Sequence, residues 1–230
     1  MPLEHFKKAL ALFKEYFNEK EPAVVISGGE PSVVDDLEDY VEEARKLGFL
    51  VTVVTNGYNP GKILDAAPHI VEVSLDYYGE KHDRIRGVKG LFARAMNLVW
   101  VAYYREGIAP IIRSTIMKDN IDDIINIRNY LDRCMMEEVP VIAMPVRGAP
   151  HLAPTKEQLK ILEKHGIIIS DNCPAGISSF VIDANMNVLA CIFYRKKLGQ
   201  LIKFTPEELS TIVENGKKIP RFPCENKALP

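Results

Sequence analysis

Tryptophan occurs once and cysteine only four times in the 230 residues. No segment approaches the roughly 18 uncharged apolar residues of a membrane-spanning helix. With so few thiols, the disulfide framework of a small secreted domain is excluded. Neither sign of charge is in excess: 29 Lys and Arg stand against 31 Asp and Glu, a net charge of −2. The clustered bases of non-specific nucleic-acid binding are missing, so neither nucleic acid nor membrane is an expected partner. Hydrophobic residues at 47% and charged residues at 26% are globular proportions, which exclude disorder, coiled coil and collagen. The opening Met-Pro-Leu-Glu-His-Phe-Lys-Lys contains an acid and no apolar core, so it is not expected to be a secretory signal, and the cytoplasm is the expected compartment. The length suits one large α/β domain with a small appendage.

What is present is a repeated strand–helix unit. Leu3, Phe6, Leu10, Phe13 and Phe17 recur at helical spacing with Lys7, Lys8, Lys14 and Glu15 between them. Ala23–Ser27 follows as a short β-branched run ending in Gly28-Gly29. The pattern repeats as helix 33–47, strand 50–55, helix 62–67, strand 70–75, helix 91–105, strand 109–117, helix 122–133, strand 139–144 and helix 155–165. Residues 76–89 read as a polar loop. Five strands, each followed by a helix and apolar throughout, predict a parallel sheet buried on both faces. After Gly166 the pattern changes. Residues 177–183 and 187–193 read as a β-hairpin, and Thr205-Pro-Glu-Glu opens a last helix. The expected units are 1–166 and 167–230.

Ligands of such folds bind at the carboxyl ends of the strands. There the sequence carries Gly28-Gly29-Glu30-Pro31, Thr55-Asn56-Gly57, Ser74-Leu75-Asp76 and Arg113-Ser114-Thr115. Paired glycines admit a ligand to the backbone, and the carboxylate behind them suits an ammonium group. A tight turn with an acid near a helix start is the other reading of the same residues. Arg113 interrupts an apolar strand, where a charge needs a partner: a ligand carboxylate, or an acid on a neighbouring strand. His82-Asp83 reads as part of a solvated loop, with acid–base chemistry as its chemical alternative. Cys173, Cys191 and Cys224 flank the C-terminal hairpin and are candidate ligands of zinc or an iron–sulfur cluster.

Together these segments resemble the radical S-adenosylmethionine superfamily. Ile26-Ser-Gly-Gly-Glu-Pro31 is similar to its Gly-Gly-Glu-Pro motif, and Thr55-Asn56-Gly57 to the end of its third strand. Ser74-Leu-Asp76, His82–Gly87 and Gly90-Leu-Phe92 resemble its fourth strand and following loop. Cys173-Pro-Ala-Gly176, Ile182-Asp183, Cys191 and Leu198-Gly199 resemble the SPASM or twitch extension. The resemblance implies a partial (βα) barrel, here of five units without the family's first strand, plus a β-hairpin and helix extension. It implies S-adenosylmethionine and a [4Fe–4S] cluster as cofactors, an electron donor, and a peptide or protein substrate. By position Gly28, Gly29 and Glu30 would meet the methionine ammonium and Arg113 its carboxylate, with Pro31 and Asn56 in the same loops. Ser74 and Asp76 would lie near the ribose, and Cys173, Cys191 and Cys224 would hold an auxiliary cluster.

The chain departs from the family in one respect. The Cys-x3-Cys-x2-Cys segment that holds the primary cluster does not occur in it. Two expectations follow: a radical enzyme whose front end precedes this sequence, or a binding module or partner subunit without radical chemistry. Without the family's first strand Ala23–Ser27 is an exposed apolar sheet edge, and in the second expectation it pairs with a partner chain. A third reading is a zinc-dependent hydrolase or lyase using His82 and Asp83.

Overall fold

The computed structural model describes residues 1–18, 20–105, 107–170 and 174–220. Helix α1 (Leu3–Phe17) leads to β1 (Ala23–Ile26), α2 (Leu37–Lys46), β2 (Leu50–Thr55), α3 (Pro60–Ala66) and β3 (Ile70–Ser74). Then come α4 (Glu80–Arg86), α5 (Leu91–Tyr104), β4 (Ala109–Ile116), α6 (Ile121–Arg133), β5 (Val141–Pro145), α7 (Lys156–Lys164) and β6 (Ile168–Ile169). A second group holds β7 (Val181–Ile182), β8 (Asn187–Leu189), β9 (Lys197–Gln200) and α8 (Pro206–Lys217).

Strands β1 to β6 form one sheet in chain order, and every adjacent pair is parallel. Winding in one direction places the crossover helices on one face. The burial alternates accordingly. Val51, Val53, Val71, Val73, Ile112, Val141 and Ala143 are buried beneath the helices, whereas Thr52, Val54, Glu72, Ser74, Arg113 and Thr115 are half-buried. The expectation of burial on both faces is corrected by this alternation: the inner face of the partial barrel stays open and carries polar groups. On β1, which among the described residues pairs only with β2, Val25 is 59% exposed.

Three further expectations change. The segment 76–89 is not all loop, because Glu80–Arg86 coils into α4 between Gly79 and Gly87, both at positive φ. Residues 31–33 form a separate 3-10 turn capped by Glu30, so α2 begins at Leu37 rather than at residue 33. A sixth strand, β6, pairs Ile168 with Ile142 and Ile169 with Ala143. The barrel sheet therefore runs past the expected boundary at 166.

The C-terminal hairpin is shorter than expected but present, with β7 antiparallel to β8 and β9 added on its far side. Its turn is held by Asp183, whose carboxylate accepts from the amides of Asn185 (2.9 Å) and Asn187 (3.0 Å). Helix α1 serves two cores. Phe6 and Leu10 pack into the barrel core. Ala9 and Leu12 pack with Val188, Leu198, Leu209 and Ile212 of the C-terminal group.

Candidate functional site

The paired strands give the site its levels. Ile26, Val53, Val71 and Pro110 are successive register partners across β1 to β4. Three residues further on, Ser74 of β3 is paired with Arg113 of β4, while Gly29 and Asn56 lie in the loops that follow β1 and β2. Two of the expected site residues thus stand side by side on paired strands, and the other two follow the carboxyl ends of the two strands beside them.

Gly28 adopts φ +154°, and a methyl group added at Gly28 or Gly29 would meet no atom within 4 Å. Their backbone is open. Gly57 differs: it has φ +80°, and a Cβ there would lie 2.6 Å from Ala95 Cα, so it fixes the Asn56–Tyr58 loop against α5. Pro31 is buried at the first position of the 3-10 turn.

The Glu30 carboxylate binds the protein on three sides. Oε1 accepts from Thr55 Oγ1 at 2.6 Å and Ser32 N at 3.0 Å, and Oε2 accepts from Asn56 N at 2.7 Å. A carboxylate has about four lone-pair positions, so about one remains for a ligand. Glu30 ties the exit of β1 to that of β2. Asn56 Oδ1 in turn accepts from Tyr58 N at 2.8 Å.

Asp76 does the same between β3 and β4. Its Oδ1 accepts from Thr115 N at 2.8 Å and its Oδ2 from Arg86 Nη2 at 2.5 Å. Fully buried Asn120 completes the tie, donating from Nδ2 to the carbonyls of Asp76 and Thr115, both at 2.8 Å. On the open face Arg113 meets Glu72: Nε donates to Oε1 at 3.0 Å and Nη2 to Oε2 at 2.9 Å. The acid on a neighbouring strand is thus present. Glu72 escaped the sequence reading, although its alternation with Ser74 and Asp76 along β3 marks it as sharing their face.

The His82–Asp83 expectation is corrected. His82 is fully buried on α4, edge-on to Phe92 at 6.3 Å, and neither ring nitrogen has a partner among the described residues. Burial, and then the charge of Arg86, hold its pKa below the ordinary histidine value. Asp83 turns instead to the start of α5, accepting from Gly90 N at 2.5 Å and Phe92 N at 2.8 Å. Those amide donors, the Phe92 bond first, lower its pKa despite partial burial. The two side chains form no acid–base pair, which removes the basis of the hydrolase or lyase reading.

Of the expected thiol ligands, Cys173 and Cys224 lie outside the described residues. Cys191 is half-buried after β8, its Sγ accepting from Phe193 N at 3.3 Å. Among the described residues no three His, Cys, Asp or Glu side chains gather as a metal site. Cys134 caps α6 and lines a cavity of about 290 Å³ with Met96, Trp100 and Tyr130, on the helical layer away from the strand ends.

The family model of the radical SAM superfamily matches residues 2–131. The chain belongs to the radical SAM superfamily. It is 33% identical over 137 residues to the Fe-coproporphyrin III synthase of Methanosarcina barkeri, covering 57% of this chain and 33% of that protein. It is 28% identical over 109 residues to the sporulation killing factor maturation protein SkfB of Bacillus subtilis, covering 45% of this chain and 26% of that protein. These matches span about a quarter to a third of the relatives' own lengths. The fold is similar to Streptococcus suis SuiB, with a TM-score of 0.64, 16% identity, and 84% of this chain and 55% of that one covered. That protein has also been solved with S-adenosylmethionine and with its precursor peptide SuiA.

Membership of the radical SAM superfamily implies S-adenosylmethionine and a [4Fe–4S] cluster. The open glycine backbone and the polar level of Ser74 and Arg113 fit the first. The residues present do not fit the primary cluster: cysteine occurs only at 134, 173, 191 and 224, with no three spaced as that cluster needs. No helix of the described residues is long and apolar enough to cross a membrane.

Proposed function

We propose that this chain is the S-adenosylmethionine-binding barrel of a radical SAM enzyme that modifies a peptide or protein. In this reading the backbone of Gly28 and Gly29, with Glu30, receives the methionine ammonium. Arg113 receives the carboxylate, and Ser74 and Asp76 lie beside the ribose. Pro31 and Asn56 hold the loops that carry these contacts. The single observation that carries the reading is that Gly28–Glu30, Asn56, Ser74 and Arg113 gather at the carboxyl ends of four adjacent parallel strands, with Ser74 and Arg113 paired. No radical step is assigned to these 230 residues, because the ligands of the primary cluster are not among them. The alternative is a binding module or partner subunit that keeps the pocket alone. In both, the free edge of β1 at Ala23–Ser27 pairs with a further strand, and the reduced cytoplasm is the compartment that suits the thiols.

Titration calorimetry with S-adenosylmethionine tests the pocket. Saturable one-to-one binding is expected, weakened about tenfold or more by Arg113→Ala, the scale of a lost charge-assisted hydrogen bond. Absence of binding overturns the reading.

Support for a peptide or protein substrate comes from SkfB, by its name a maturation protein. A tetrapyrrole is the second reading, favoured by 33% identity to the Fe-coproporphyrin III synthase. A shift of the Soret band when coproporphyrin is titrated into the protein would select the tetrapyrrole, and an unmoved band would leave the peptide.

A further inference from the structure

Arg113 has five N–H donors in two usable edges. Glu72 occupies the lateral edge, formed by Nε and the near hydrogen of Nη2, with both of its oxygens. The terminal fork, formed by Nη1 and the outer hydrogen of Nη2, has no partner among the described residues. A guanidinium can hold two carboxylates at once, one on each edge. The internal ion pair and a ligand role are therefore compatible.

The surroundings make the pair directional. The register partners of Glu72 are Val54 and Ile111, and those of Arg113 are Ser74 and Ile142. Apolar neighbours leave the guanidinium as the partner of Glu72, and two parallel bonds fix the plane of the fork rather than merely its charge. The Glu72 and Arg113 side chains remain 16% and 31% exposed on the open face of the barrel, which leaves the guanidinium within reach of a ligand there.

We propose that Glu72 is a positioning residue: it grips the lateral edge of Arg113 and so presents the terminal fork to the carboxylate of S-adenosylmethionine. The proposal rests on the assignment of that carboxylate to Arg113. It also opposes simple electrostatics. A glutamate that only neutralised Arg113 would weaken carboxylate binding, and removing its charge would tighten the complex. A glutamate that aims the fork has the opposite signature.

The test is calorimetry on the full chain with two probes, S-adenosylmethionine and its decarboxylated analogue, for the wild type, Glu72→Gln, Glu72→Asp and Arg113→Lys. Glu72→Gln is expected to weaken S-adenosylmethionine about tenfold and leave the analogue unchanged, since only the carboxylate reads the fork. Glu72→Asp keeps both oxygens one methylene shorter, and partial recovery is expected. Unchanged or tighter binding of S-adenosylmethionine by Glu72→Gln overturns the proposal, as does equal weakening of both probes. Should Glu72→Gln lack a cooperative melt, the Glu72→Asp comparison decides by the same criterion. A wild type that binds both probes equally, with no response to Arg113→Lys, refutes the Arg113 assignment itself and the proposal with it.

Discussion

Thr55 Oγ1 donates to Glu30 Oε1 at 2.6 Å, closing the exits of β1 and β2 onto one another. The same hydroxyl accepts from Gly57 N at 3.0 Å, so the bond continues into the loop pinned against Ala95. The acid of the Gly-Gly-Glu-Pro segment is thereby held before any ligand arrives.

Thr55→Val keeps the shape of this buried side chain and removes both bonds. It leaves an acceptor of Glu30 and the Gly57 amide short of a partner, at a cost of about 1–3 kcal/mol. Urea denaturation followed by circular dichroism measures this directly. A loss under about 0.3 kcal/mol would show that water replaces the hydroxyl without penalty.

The second prediction concerns pH. His82 is held neutral in the folded chain, its pKa lowered by burial and then by Arg86, with Asp76 and Asp83 opposing that shift. Below the ordinary value of about 6.5 the unfolded chain takes up the proton first, so stability falls as pH drops through that value towards the folded pKa. His69, also lowered by burial, acts in the same direction. His82→Phe removes one of the two contributions. Between pH 7.5 and 5.5 the melting temperature of the wild type should fall more steeply than that of the variant, and parallel curves would refute the role of His82.

Cys191 carries the third. If the C-terminal thiols hold a cluster, Cys191→Ala lowers the iron and labile sulfide bound per chain after anaerobic reconstitution. Iron unchanged from wild type removes Cys191 from any such site. Zinc uptake without sulfide would instead favour a purely structural metal.

The alternation of strand and helix was legible because strand bodies are apolar and their exits are rich in Gly, Asn and Ser, a local signal that survives without tertiary context. What escaped was tertiary or too short. Helix α4 spans seven residues, of which only His82 is buried, so no apolar stripe announces it. Strand β6 has two residues. The sequence places the expected site residues at strand ends, but it does not show their partners. Whether Glu30 faces a ligand or Thr55, and whether Arg113 meets Glu72, depends on contacts 25 and 41 residues apart in the chain. The alternation of Glu72 with Ser74 was visible in the sequence; the reading of β3 as buried on both faces concealed it.

Helix α1 is a keel common to two hulls. One side is planted in the barrel through Phe6 and Leu10, the other in the C-terminal sheet through Ala9 and Leu12. A hinge between the two bodies would have to break one of those seams, so the sheet that presents Cys191 cannot swing independently of the strand ends. Cutting the chain after residue 170 would strip one flank of the helix bare, and the barrel left behind would be a sticky fragment rather than a smaller stable domain.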